Sequence, residues 1–231
     1  MNEHIEFLTQ LELMGAENHV DELYLWPRTP IANLQAEAWQ RVGVSDWRAD
    51  DERSRPAQVL RVLEDLTYNR LISEQFSYLD ICCGDGVILW HVRRTYPFAT
   101  VCGVDLADQD THVLVQESGV KVFRIAIQRL FKTTGPRFDV VTMFNTYRGW
   151  TSADLREDEK WLVDAVDEWL RRNARFAILT VGRSDVGRRQ VETLKGRGFW
   201  VTEVGTAEDR STMILVFPCD AGEGLWSQQR R

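Results

Sequence analysis

Two aspartates and two glycines stand at spacings that suit the binding of a nucleotide. Gly84 and Gly86 fit a tight turn, because glycine adopts left-handed backbone conformations and lets a ligand approach the main chain closely. Asp105 follows this turn by about 20 residues, the distance at which an acidic residue meets ribose hydroxyls in nucleotide-binding units. Asp80 precedes the turn. The pattern therefore predicts a nucleotide-cofactor half-site.

The elements that must position these residues are a strand, a helix and a second strand. Residues 78–82 form a short apolar run, and residues 87–96 have helical spacing that stops at Pro97. Residues 99–104 form a β-branched apolar strand that ends in Asp105. Because open α/β sheets bind ligands outside the carboxyl ends of their strands, Asp105 is placed for function.

The glycine spacing favours one class of cofactor over another. A dinucleotide fingerprint needs a third glycine in G-x-G-x-x-G, and here Leu89 stands at that position. The run Asp80-Ile81-Cys82-Cys83-Gly84-Asp85-Gly86 instead resembles motif I of class I S-adenosylmethionine (SAM) dependent methyltransferases, roughly D-x-G-x-G-x-G after a hydrophobic strand. Cys82 replaces the first family glycine. The resemblance implies that SAM is the cofactor, with an acid facing its ribose and turn amides facing its carboxylate.

The resemblance also implies cofactor contacts farther along the chain. The family often carries an acidic residue after the third strand that meets the adenine amino group; here Ile127 and Gln128 stand there. Either Ile127 packs on the adenine and Gln128 bonds to it, or Ile127 is core and Gln128 is solvated. The cofactor-binding candidates are Asp80, Cys82, Gly84, Gly86, Asp105, Leu106, Ile127, Gln128 and Asn145.

The rest of the chain alternates strands and helices. Further strands are predicted at residues 121–127, 137–144, 175–181, 199–204 and 211–217, with helices at 154–172 and 184–195. The last two strands are joined by a link too short for a parallel crossover, so they form a hairpin. This ending is similar to the methyltransferase sheet, whose seventh strand runs antiparallel between the fifth and sixth. The predicted fold is α/β, a seven-stranded mostly parallel doubly wound sheet with an antiparallel terminal hairpin and an N-terminal helical segment.

The loop after the fourth predicted strand is rich in residues that recognise ligands. In the family that this chain resembles, the loop lies beside the reactive methyl group. Asn145 suits a hydrogen bond to the methionine amine or the acceptor, while Tyr147 and Trp150 suit walls around a ring and Arg148 suits a carboxylate or phosphate. The alternative is that the two aromatic residues only cover the end of the sheet.

Residues 1–75 are predicted to form a helical lid or substrate segment ahead of a SAM-binding domain at residues 76–231. Helical apolar patterns occur within residues 31–42 and in two further sets: Ile5, Leu8, Leu11 and Met14, then Val59, Val62, Leu63 and Leu66. Tyr24, Trp26 and Arg28 are the lid candidates. Tyr24 and Trp26 fit equally well as contacts between the helices and the sheet, or as a homodimer surface.

No residue stands out as a general base. His112, Asn145 and Tyr147 are weak catalytic candidates, and His91 is expected on a helix surface. The spacing of carboxylates, histidines and cysteines predicts no metal site. Cys82, Cys83 and Cys102 are interpreted as small buried hydrophobic residues.

Net charge and composition indicate which partners the protein binds and in which cellular compartment it is expected. The 231-residue chain has a net charge of −7, which makes nucleic acid an unfavourable partner. No apolar run approaches the roughly 20 residues of a membrane span, and the polar start is unlike a targeting peptide, so a cytoplasmic location is expected.

The leading hypothesis is a SAM-dependent methyltransferase that acts on a small molecule, a sugar or a secondary metabolite, at oxygen or nitrogen. One alternative is a methyltransferase-like binding subunit without turnover, which Cys82 and the missing adenine-side acid permit. Another is an NAD-dependent oxidoreductase or epimerase. A macromolecular acceptor also stays open.

Overall fold

The computed structural model describes residues 2–16, 54–84, 86–105, 118–125, 127–144, 160–182, 184–206 and 212–219. In these ranges the strands are β1 (Ser77–Ile81), β2 (Thr100–Asp105), β3 (Lys121–Arg124), β4 (Phe138–Met143), β5 (Ala174–Val181), β6 (Phe199–Thr206) and β7 (Thr212–Pro218). The helices are α1 (Asn2–Ala16), α2 (Arg55–Tyr68), α3 (Val87–Thr95), α4 (Ile127–Leu130), α5 (Lys160–Asn173) and α6 (Ser184–Gly196). None of these helices is long and apolar enough to cross a membrane.

The seven strands form one sheet in the order β3-β2-β1-β4-β5-β7-β6. The first five strands pair in parallel, and β7 pairs antiparallel with both β5 and β6. The predicted fold class is therefore confirmed, including the seventh strand between the fifth and sixth. The short link between β6 and β7 dictates this ending, since only an antiparallel partner is within its reach.

Each face of the sheet is covered by its own hydrophobic cluster. The first cluster joins one face to α1, α4, α5 and α6, and the second joins the other face to α2 and α3. Alternate residues of β1 point to opposite clusters, as strand geometry requires: Leu79 and Ile81 lie in the first and Tyr78 in the second. Asp80 shares the face of Tyr78, so it is directed towards α2 and α3.

Helix α2 follows the predicted pattern closely. The Ser54 side chain accepts a hydrogen bond from the amide of Ala57, and Pro56 stands in the first turn, where its missing N–H costs nothing. The four predicted apolar residues Val59, Val62, Leu63 and Leu66 are all buried. Gln58 adds a polar anchor, donating from Nε2 to the carbonyl oxygen of Thr206 at 2.6 Å.

Helix α1 also packs on the sheet, along a stripe that contains Leu8, Leu11 and Met14 as predicted and Phe7 in place of Ile5. Ile5 is 57% exposed, whereas Phe7 and Leu11 are buried. The Phe7 ring meets Phe138 edge-on at a centroid distance of 5.8 Å. The placement of Ile5 in the stripe was wrong because Ile5–Leu8 and Phe7–Leu11 have the same kind of helical spacing, and only the sheet selects between them. The lid role and the division at residue 75 stay predictions.

Three local predictions need correction or restriction. The third strand ends at Arg124, not at residue 127, and Ile127 opens α4. His91 is 7% exposed instead of lying on a helix surface, because α3 packs against α2 as well as against the sheet. The predicted helix at 154–172 is observed from Lys160 to Asn173, and its first residues lie outside the described ranges.

Candidate functional site

The turn after β1 is built from left-handed backbone. Cys82 has φ 60°, Gly84 has φ 59° and Gly86 has φ 83°. The amides of Cys82 and Cys83 both donate to the carbonyl oxygen of Val104, at 2.7 and 3.2 Å, so the turn folds back over the end of β2. Only glycine adopts such φ values without steric cost, and Cys82 adopts one while carrying a side chain.

A carboxylate from β2 is hydrogen-bonded to this turn. The Gly84 amide donates to Oδ2 of Asp105 at 2.8 Å. The two features that the sequence analysis paired, a glycine turn and an acid at the end of the next strand, are thus in direct contact. An ionised carboxylate has about four acceptor positions, so the bond to Gly84 leaves Asp105 capacity for ribose hydroxyls.

The close approach of turn and strand depends on a glycine that the sequence analysis did not single out. A Cβ on Gly103 would lie 2.5 Å from Cδ1 of Leu89 and 2.7 Å from Sγ of Cys83. Gly103 is paired with Asp80 in the sheet and lies under the turn. A glycine inside a strand is itself the signal, since it commonly marks a close approach of another segment.

Asp80 is buried and held by a neighbouring strand. It is 1% exposed, and its Oδ1 accepts a hydrogen bond from Oγ1 of Thr142 in β4 at 2.7 Å. Oγ1 of Thr142 is also 2.8 Å from the hydroxyl of Tyr78, which lies two residues before Asp80 on the same face of β1. Tyr78 and Thr142 were missed because they carry no motif and meet only through the register of β1 with β4.

Two thiols at the turn, those of Cys83 and Cys102, are held in their neutral form. Burial, and secondly the charge of Asp80, raises the pKa of Cys83 well above its ordinary value. The same two causes raise the pKa of Cys102 to about 12. Cys102 is buried as expected, while Cys82 and Cys83 are half-buried. Near neutral pH, Cys83 and Cys102 therefore supply no thiolate, and the described residues contain no cluster of side chains able to hold a metal.

The other candidates lie in different parts of the chain. Ile127 is 2% exposed within the first hydrophobic cluster, and its contact with adenine stays a prediction. Gln128 belongs to α4. The remaining candidates lie outside the described residues: Leu106, His112, Asn145, Tyr147, Arg148, Trp150, Tyr24, Trp26 and Arg28.

The start of the predicted substrate loop is nevertheless fixed. Met143 of β4 is paired with Ile81, the last residue of β1, and Phe144 follows it as a buried residue. The chain thus leaves β4 directly beside the turn that begins at Cys82. This places the beginning of the loop at the carboxyl edge of the sheet, where open α/β folds bind ligands.

Comparison with known proteins identifies the fold. No protein-family model and no curated protein sequence matches the chain. Solved structures do match, among them WbdD, with 16% identity, a TM-score of 0.54, and coverage of 73% of this chain and 41% of WbdD. This chain therefore spans less than half the length of that protein.

Two further structures carry cofactor or product. Magnesium protoporphyrin IX methyltransferase (ChlM) from Synechocystis PCC 6803, solved with SAM, is 14% identical with a TM-score of 0.54, over 83% of this chain and 99% of ChlM. The N-terminal domain of human METTL16, solved with S-adenosylhomocysteine (SAH), is 13% identical with a TM-score of 0.52, over 71% of this chain and 70% of that one. The chain has the fold of class I SAM-dependent methyltransferases.

Proposed function

We propose that this protein is a SAM-dependent methyltransferase that binds its cofactor at the carboxyl ends of β1 and β2. The observation that carries the proposal is the hydrogen bond between the Gly84 amide and the Asp105 carboxylate. It holds the acid proposed to bind the ribose against a turn with three left-handed residues. The fold that surrounds this pair is the one in which the solved neighbours hold SAM or SAH.

The charges of the site also fit this cofactor. SAM supplies a methyl group on a positively charged sulfur, with a neutral leaving group, so the protein mainly has to position the acceptor and exclude water. Burial raises the pKa of Cys83, and the charges of Asp80 and Asp105 raise it further, so both carboxylates act on the turn. A site flanked by two carboxylates favours a ligand that carries positive charge.

The acceptor is proposed to be a small molecule, a sugar or a secondary metabolite, methylated at oxygen or nitrogen. The net charge of −7 disfavours nucleic acid. The match to ChlM covers nearly the whole of that protein. By its name, ChlM methylates magnesium protoporphyrin IX, a small molecule. In this proposal Tyr147, Arg148 and Trp150 contact the acceptor from the loop after Phe144, and Tyr24, Trp26 and Arg28 cover it.

Calorimetric titration with SAM, SAH and NAD tests the cofactor. We expect binding of SAM and SAH but not NAD, because the antiparallel β7 departs from the parallel dinucleotide order and Leu89 fills the third-glycine position. Asp105→Ala should weaken SAH binding at least about tenfold, which corresponds to ~1.4 kcal/mol. Asp65→Ala is the matched control, because it removes an exposed carboxylate from α2.

Three results would count against the proposal. Wild-type protein that binds neither SAM nor SAH refutes it, as does SAH affinity unchanged by Asp105→Ala. Protection from heat by NAD but not by SAM would favour an oxidoreductase instead. Transfer of labelled methyl groups to a panel of small hydroxyl and amine compounds then separates an enzyme from a binding subunit, which would bind SAM without turnover.

A further inference from the structure

Three buried polar side chains form a continuous hydrogen-bonded chain beneath the candidate cofactor site. Tyr78 and Thr142 are 0% exposed and Asp80 is 1% exposed. The hydroxyl of Tyr78 lies 2.8 Å from Oγ1 of Thr142, which in turn lies 2.7 Å from Oδ1 of Asp80. The chain crosses from β1 to β4 and back, so it depends on the pairing of the two strands at Tyr78–Val140 and Asp80–Thr142.

The direction of this chain follows from counting protons. The Thr142 hydroxyl has one proton, and it donates that proton to Asp80. The contact with Tyr78 therefore requires the phenol to be the donor. Burial, followed by the charge of Asp80, raises the pKa of Tyr78 well above its ordinary value, so the phenol keeps its proton near neutral pH. The order is Tyr78 to Thr142 to Asp80, with every donor directed towards the carboxylate.

A carboxylate held in this way has a fixed orientation and a strong field. Burial raises the pKa of Tyr78 on β1, Cys83 in the turn and Cys102 on β2, and the charge of Asp80 raises each of these pKa values further. Burying a charge is unfavourable unless a partner of opposite charge or hydrogen-bond donors compensate for it. Thr142 supplies one donor, and a cationic ligand group beside the turn would add the opposite charge.

We propose that Tyr78 and Thr142 are positioning residues for the cofactor, which fix the Asp80 carboxylate so that it receives the charged amine of the methionine part of SAM. This inference rests on the proposed function, since it assigns two residues to the same site. Neither hydroxyl touches the ligand. Both act through Asp80, and the effect of removing them is confined to ligands that carry the amine.

Two ligands separate this role from a purely structural one. SAH has the methionine-derived amine and carboxylate, whereas 5′-methylthioadenosine keeps the adenosine and the thioether but lacks both. Thr142→Val keeps the shape of the side chain and removes its hydroxyl. We expect it to weaken SAH binding about tenfold in calorimetry, the factor that corresponds to ~1.4 kcal/mol, and to change methylthioadenosine binding less than about twofold.

Two more variants serve as controls. Thr142→Ser keeps the hydroxyl and should restore SAH affinity to within about threefold of wild type. Tyr78→Phe removes only the distal hydroxyl and should show the same ligand pattern at a smaller size, about threefold. It also keeps the proposal testable if Thr142→Val does not fold, which thermal unfolding would reveal.

The outcomes are distinguishable. Equal losses for both ligands in Thr142→Val and Tyr78→Phe would assign these residues a structural role only and overturn the proposal. Unchanged SAH affinity in both variants, with binding to wild type intact, would overturn it while leaving the proposed function standing. Wild-type protein that binds neither ligand would overturn both.

Discussion

Cys82 offers the sharpest test of the turn geometry, because it is a non-glycine residue with φ 60° at the start of the turn. The informative comparison is between Cys82→Ala and Cys82→Gly. Both variants remove the half-buried thiol, so they differ only in the Cβ that a left-handed residue must accommodate.

Two opposing terms set the size of the difference. A left-handed conformation costs a residue with a Cβ about 1–2 kcal/mol, and glycine is relieved of this cost. Glycine in turn loses about 0.4–1 kcal/mol through the greater freedom of the unfolded chain. The glycine variant should therefore be the more stable of the two by about 1 kcal/mol, a rise in Tm of about 2–4 °C for a chain of this size.

Thermal and urea unfolding measure this difference. The matched control is the same pair at Arg61, an exposed position in α2, where Arg61→Gly should be less stable than Arg61→Ala by about 1 kcal/mol. The opposite signs at the two positions are the prediction. A glycine variant at Cys82 that is less stable than the alanine variant, as at Arg61, would show that the turn is not left-handed there.

Three further predictions concern packing and burial, two of them beside the site and one at helix α1. Gly103→Ala should destabilise the fold by about 1–3 kcal/mol in urea unfolding. The same substitution made in a Leu89→Ala background should cost less, because Cδ1 of Leu89 is the nearest atom to the new Cβ. Phe7→Ala should cost about 3–5 kcal/mol, while Ile5→Ala, at an exposed position of the same helix, should stay within about 0.5 kcal/mol; similar effects would mean that α1 is not packed on the sheet. Above pH 9 the Cys102 thiol loses its proton in the unfolded chain, whereas the folded protein, in which its pKa is raised to about 12, keeps it. The free energy of unfolding should therefore fall by ~1.4 kcal/mol per pH unit because of this group. Cys102→Ala should show a shallower slope of unfolding free energy against pH.

The sheet was predictable because local rules determine most of it. Alternation of apolar strands and helices indicates parallel units, and the short link after β6 permits only a hairpin. One residue of the α1 stripe was not predictable in the same way. Ile5 and Phe7 both fit helical spacing, and the choice of Phe7 depends on Phe138 and Gly135, residues more than a hundred positions away along the chain.

The residues of the candidate site also fall into two groups: those that a local sequence pattern indicates and those that depend on contacts between distant segments. Asp80, Gly84 and Asp105 could be predicted as site residues because they belong to one βαβ unit with a recognisable spacing. Tyr78 and Thr142 were not, because their contact exists only when β1 and β4 pair in the observed register. A single sequence carries no mark of that register, so a polar chain between strands can be found only in the folded structure.

The left-handed Cys82 also bears on whether the protein is a catalyst or only a binding subunit. The absence of the glycine that motif I carries at this position would argue against a cofactor site if the turn had changed shape to avoid steric strain. Instead Cys82 keeps φ 60°, and its amide still donates to Val104 at 2.7 Å. This conformation costs about 1–2 kcal/mol in a residue with a Cβ. Two residues after Cys82, the Gly84 amide is hydrogen-bonded to Asp105. The turn therefore has the left-handed geometry although a cysteine stands where a glycine is usual. Cys82 therefore gives no reason to prefer the binding subunit, and the choice between the two rests on turnover with the acceptor.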